Sequence, residues 1–168
     1  LLSHGQGYSP NIPTEEVFTS PDPSATEGMF RCSRPLEIAG RVIDGIRGEF
    51  GGGALVRLDA DRDADAEFLR AYFARDVGAG RLGEVALVDA ASRIGQTGRA
   101  YRTTLLDENA ASHIAFGFGF GFCRDEGAPA PNVSAIHVDV MIGTPEMEVT
   151  ATGAHGAEHV VMRSGAFA

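Results

Sequence analysis

Apolar and polar positions alternate in the manner of half-buried strands from Gly28 to Leu58, further short apolar runs read as strands, and a helical reading fits two stretches. Glu15–Thr19 reads as a short extended segment, stopped by the Pro21-Asp22-Pro23 turn. From Gly28 to Leu58 the pattern predicts a β-meander of three strands, Met29–Ser33, Arg41–Phe50 and Ala54–Leu58, the last two joined by Gly51-Gly52-Gly53. Asp65–Arg75 sets Ala66, Leu69 and Phe73 on one side of a charged helix. Gly83–Val88 is an apolar strand carrying one acid, Asp107–Gly117 reads as an alanine-rich helix, and Ala135–Ile142 is a strand. Glu148–Thr152 and His159–Arg163 close the chain as a hairpin. Strands in runs with few helices between them predict an α+β fold, a mostly antiparallel β-sheet domain with a few helices.

A chain of 168 residues fits one domain, residues 1–168, and buries a sufficient core without a disulfide or structural metal. Its 14 Lys and Arg against 23 Asp and Glu give a net charge of -9, which argues against nucleic acid and against anionic membrane surfaces as partners. Cations, metals and amines fit better. Two cysteines, Cys32 and Cys123, without CxxC spacing, suit a reducing cytosol, so a cytoplasmic location is expected. No apolar stretch reaches the roughly 20 residues of a membrane span. The opening, Leu1-Leu2 and then Ser3 to Tyr8, does not read as a domain start, and a piece of a longer chain is expected.

Four groups of residues could carry chemistry. In Ile136-His137-Val138-Asp139, strand alternation puts His137 and Asp139 on one face. Glu84 lies in the apolar run Leu82–Val88, where a buried carboxylate needs a compensating cation or hydrogen-bond donors, and a metal would serve. Asn109 and His113 stand four apart on the predicted helix, so that the amide could orient the ring. Glu15 and Glu16 are adjacent acids beside a turn, and alternation sends their carboxylates different ways. Each has an ordinary alternative: a solvated strand face, an exposed edge glutamate, a surface histidine, a solvated charge pair. Together they are the oxygen and nitrogen donors that two divalent ions require, but spacing alone does not bring them together.

Four blocks in order resemble the C-terminal half of one family: Asn11–Thr19, Arg81–Val88, Leu106–His113 and Ile136–Gly143. These are similar to the thermophilic dinuclear metallo-aminopeptidases, of the aminopeptidase T and aminopeptidase S type. The resemblance implies one glutamate of the Glu15/Glu16 pair, with Glu84, His113, His137 and Asp139, as metal ligands, and two divalent ions (zinc, cobalt or manganese) as cofactors; the adjacent pair of other dinuclear aminopeptidases favours Glu16 as the ligand and Glu15 as general base over the reverse. It further implies hydrolysis of the N-terminal peptide bond by a metal-activated water, on peptides with a free N-terminus, with broad specificity for the first residue. A homodimer is compatible with it. The family's larger N-terminal α/β domain is absent from the sequence, and where the family has a tyrosine seven residues after the ligand histidine this chain has Phe120. The competing expectation is a non-catalytic metal-binding or partner-binding domain derived from such an enzyme, and a further one is a β-rich binding module without metal.

Other signals are set aside. Asp59, Asp61, Asp63 and Asp65 imitate a calcium loop, but Ala64 and Arg70 stand where its glycine and bidentate glutamate belong. The Gly-Phe alternation from Gly117 follows a helix in this reading, so it is no dinucleotide loop. His155 and His159 have helical spacing, yet Gly153 and Gly156 oppose a helix. Asn132-Val133-Ser134 fits a glycosylation sequon without meaning in a cytosolic chain.

Overall fold

The computed structural model describes residues 12–168. The opening segment and Asn11 of the first block lie outside the described residues. In chain order the strands and helices are β1 (Glu16–Thr19), β2 (Gly28–Arg31), β3 (Leu36–Ile38), β4 (Arg41–Ile43), β5 (Arg47–Gly51), β6 (Ala54–Asp59), α1 (Asp63–Tyr72), β7 (Leu82–Val88), α2 (Thr104–Asp107), β8 (His113–Gly117), β9 (His137–Met141), β10 (Val149–Thr152), β11 (Glu158–Arg163) and β12 (Ala166–Phe167). Every pairing is antiparallel, and the fold is α+β as expected. The central sheet runs β1-β7-β8-β9; β2-β5-β6 and β10-β11-β12 form three-stranded sheets, and β3-β4 a hairpin.

One face of the central sheet makes the core. Val85, Ile114, Phe116, Val138 and Val140 point into a cluster with Phe50 and Leu58 of the meander and Ala66 and Leu69 of α1. Phe116 is fully buried, its ring 4.3 Å from Phe73 and 5.4 Å from Phe50, centroid to centroid. Burial of such a side chain is worth about 1.5–3 kcal/mol, so this face anchors the sheet and leaves the opposite face for chemistry.

Three expectations need correction. The strand expected over Arg41–Phe50 is two strands, because Gly45 turns the chain at φ 66° and a Cβ there would overlap the Asp61 carboxylate. The first of the two, β4, pairs with β3, which the pattern did not predict. The helix expected over Asp107–Gly117 stops at Ala110, after α2 and a 3₁₀ turn, and His113–Gly117 is the strand β8. Alanine favours a helix in isolation, but here Ile114 and Phe116 face the core while His113 and Ala115 face the other side, and this two-sided burial overrides propensity.

Candidate metal centre

The register of the central sheet brings the predicted ligands together. Directly opposed residues of an antiparallel ladder share a face, as do residues two apart on one strand. Ala86 opposes His113 on β8 and Phe18 on β1, which puts Glu84, His113 and Glu16 on one face. Ala115 opposes both Glu84 and Asp139, which adds Asp139 and His137 to it. Five donors from four strands thus surround a floor made of two alanines.

A bulge makes this possible. Leu82 opposes Phe116 on the core face and Glu84 opposes Ala115 on the other, so the extra residue, Gly83, switches the strand from one face to the other. Only glycine fits there: a Cβ on Gly83 would lie 2.1 Å from the Phe118 carbonyl oxygen.

Two groups of donors share Glu84. Glu16, Glu84 and His113 form one and Glu84, His137 and Asp139 the other, each with its ligand atoms within 4.8 Å of one another. His113 Nε2 lies 3.3 Å from Glu16 and 3.8 Å from Glu84 Oε1; His137 Nε2 lies 3.4 Å from Glu84 Oε2 and 3.3 Å from Asp139. Two ligands held about 2.0–2.1 Å from one tetrahedral ion are themselves about 3.3 Å apart, so these separations suit shared cations. The rings are oriented for it. His113 Nδ1 lies 3.1 Å from the Ala111 carbonyl and His137 Nδ1 2.7 Å from that of Phe118; with Nδ1–H donating there, both Nε2 atoms face the carboxylates. Donor chemistry, spacing and ring orientation all fit divalent metal.

The electrostatics agree. Burial opposes a charged His137, but the Asp139 and Glu84 carboxylates outweigh it and raise its pKa to about 10. The same contest raises His113, with Glu84 the chief partner. Burial pushes Glu84 up, but the two imidazoles prevail and hold it below the usual carboxylate range. Cations are what this site favours.

The remaining predicted residues surround the donors. Glu15 precedes β1, and its carboxylate accepts the Arg93 backbone N–H. Asn109 does not act on the His113 ring as the helical spacing suggested, because no helix joins them. Fully buried, it accepts the Glu15 N–H at 2.6 Å and donates to the Leu105 carbonyl, so it fixes the start of the strand that carries Glu16. Phe120 lies beside the site, its ring centroid 5.2 Å from that of His137.

Sequence reasoning missed the backbone carbonyls of Ala111 and Phe118, which carry no side-chain signal. It also missed Asn132, whose buried amide donates to the Gly78 and Gly117 carbonyls and so holds the turn after β8. Three of the discarded aspartates are ion-paired, Asp59 to Arg57 and Arg70, Asp61 to Arg47, and Asp65 to Arg62 and Arg41. A cavity of about 470 Å³ beside β3 and β4 reaches only Asp139 of the five donors.

The model of the thermophilic metalloprotease (M29) family matches residues 2–167. The chain belongs to this family. Aminopeptidase T of Thermus aquaticus is 43% identical over 169 residues, which cover 96% of this chain and 41% of the relative. Aminopeptidase PepS of Streptococcus thermophilus is 34% identical over 174 residues, 98% of this chain and 42% of the relative. The structure of wild-type AmpT from Thermus thermophilus superposes with a TM-score of 0.87 at 44% identity, covering 94% of this chain and 40% of that one. The chain therefore spans about two fifths of the length of the relatives it matches. Dependence on divalent metal is what membership of a metalloprotease family implies, and the two donor groups are where this family member can hold it. Among the described residues no helix is long and apolar enough to cross a membrane.

Proposed function

We propose that the protein is a metal-dependent aminopeptidase that hydrolyses the first peptide bond of peptides with a free N-terminus, using two divalent ions held by Glu16, Glu84, His113, His137 and Asp139. The observation that carries this reading is Glu84, whose two oxygens each face a different histidine and belong to both donor groups. Zinc, cobalt or manganese bound there would acidify water and polarise the scissile carbonyl. Glu84 keeps the two groups at a fixed separation, and Glu16 and Asp139 complete one group each. Neutral Nε2 atoms are presented by the rings that Ala111 and Phe118 orient. Glu15, next to Glu16 in the chain and held by the Arg93 backbone N–H, is the carboxylate for moving a proton from water to the departing amine.

A free α-amine, itself a metal-seeking base, is the feature that confines cleavage to the first residue. Zinc-loaded protein is expected to hydrolyse L-leucyl-p-nitroanilide and to leave the N-acetyl compound intact. Equal hydrolysis in a verified metal-free sample, or of the acetylated compound, would overturn the reading. One observation favours a non-catalytic metal-binding domain instead: Phe120 puts a ring without a hydroxyl beside His137. Two bound ions without turnover of the free-amine substrate is the result that reading expects.

A further inference from the structure

The donors are not equally buried. His137 has 26% of its side chain exposed, while none of the other four exceeds 6%. The site therefore opens to solvent past His137, and what borders the opening is aromatic. Next to the imidazole stands Phe120, flanked by Phe118 at 5.5 Å and Phe122 at 5.4 Å between ring centroids. Phe18 closes the group at 5.8 Å from Phe120 and 6.2 Å from Phe122, and its register with Ala86 puts it on the donor face.

Phe118 and Phe122 are 43% and 55% exposed, so large apolar rings stand in water beside a cluster of carboxylates and imidazoles. The backbone beneath them is pinned. Phe118 N–H donates to the Ile136 carbonyl, Gly119 N–H to that of Asn132, and Phe120 N–H to the Ser20 hydroxyl. Gly119 is required for this approach, since a Cβ would come within 2.9 Å of the Gly83 carbonyl oxygen. The surface is thus preformed, at the expense of leaving apolar rings in contact with water.

We infer that Phe18, Phe118, Phe120 and Phe122 form the wall that receives the side chain of the substrate's N-terminal residue, and that it selects apolar side chains over small or acidic ones. This rests on the aminopeptidase reading. The N-terminal residue must bring both its free amine and its scissile carbonyl to the donors, and its side chain branches from the carbon between them. It cannot avoid the border of the site. Phenyl rings reward an aliphatic or aromatic side chain there, whereas an acidic one loses water and meets Glu84 and Asp139.

The test uses binding, which does not depend on turnover. Zinc-loaded protein is titrated with free L-leucine, L-phenylalanine, L-alanine and L-aspartate, followed by nuclear magnetic resonance. Leucine and phenylalanine should bind at least about tenfold more tightly than alanine, the lower range for an apolar pocket contact, and aspartate most weakly. Phe122→Ser and Phe118→Ser, both at the surface, should each reduce the leucine-to-alanine ratio severalfold, with zinc content and melting temperature recorded on the same samples. Equal binding of leucine and alanine, binding of none of the four, or an unchanged ratio in both variants overturns the inference. Apolar selectivity lost in the variants, without hydrolysis of leucyl-p-nitroanilide, upholds the wall and rejects the catalytic reading. Hydrolysis with flat selectivity does the reverse.

Discussion

Glu84 sits between two imidazoles in the middle of a sheet, and its charge is the one both donor groups share. Glu84→Gln keeps the shape and removes that charge. It should weaken metal binding at least ~10-fold, the lower end of what even outer-shell changes cost, as measured by calorimetric titration; unchanged affinity would return Glu84 to a structural role. The histidines predict a dependence on pH. In the metal-free protein His137 titrates at about 10 against an ordinary value of 6.5, so its contribution to stability is complete below pH ~6.5 and is lost as the pH rises through 10. Chelator-treated protein should therefore melt at progressively lower temperature from pH 7 to pH 10. Metal-loaded protein, whose rings have already given up those protons, should lack this part of the decline. A melting curve just as sensitive to pH with metal bound would contradict the assignment. Phe120 yields a third expectation. If the family's tyrosine donates to the transition state, Phe120→Tyr should raise turnover by roughly 10²–10³-fold with metal content unchanged. Lower melting temperature with no gain in turnover would mean that the new hydroxyl is buried without a partner.

At the scale of elements, the bulge in β7 matters more than any single pairing, because without it Glu84 and Leu82 would face the same side. Gly83→Ala forces a methyl against the Phe118 carbonyl, and either the strand or the loop must yield. The expected cost is about 1–3 kcal/mol of stability, read from denaturant unfolding in chelator, together with weaker metal binding as Glu84 shifts. An unchanged unfolding midpoint would show that the bulge is not what sets the register. The same strands show what the pattern could and could not reveal. His137 and Asp139 were legible as a pair because alternation within one strand needs no knowledge of neighbours. His113 stands at a ligand position by resemblance alone, and its strand carries the pattern of a helix, since an alanine-rich run buried on both faces has no period to betray it. The orienting carbonyls and the clamp from Asn109 to Glu15 were illegible, because they depend on contacts between residues up to 94 positions apart.

Across the whole molecule, the division of labour between the faces of the central sheet explains the composition: one face supplies the core, the other is polar, acidic and lined by two alanines. The α+β class followed from runs of strands, but sheet order did not, and only the order β1-β7-β8-β9 makes neighbours of residues 16, 84, 113 and 139. A site assembled from four strands cannot be read from spacing on any one of them. The proposed chemistry requires that this face hold two ions. The direct measurement is metal stoichiometry: protein stripped with chelator, titrated with zinc and assayed by calorimetry and elemental analysis. Two ions per chain are predicted, both weakened together in Glu84→Gln because one carboxylate serves both groups. Binding of none, or of a single ion indifferent to that substitution, would contradict it.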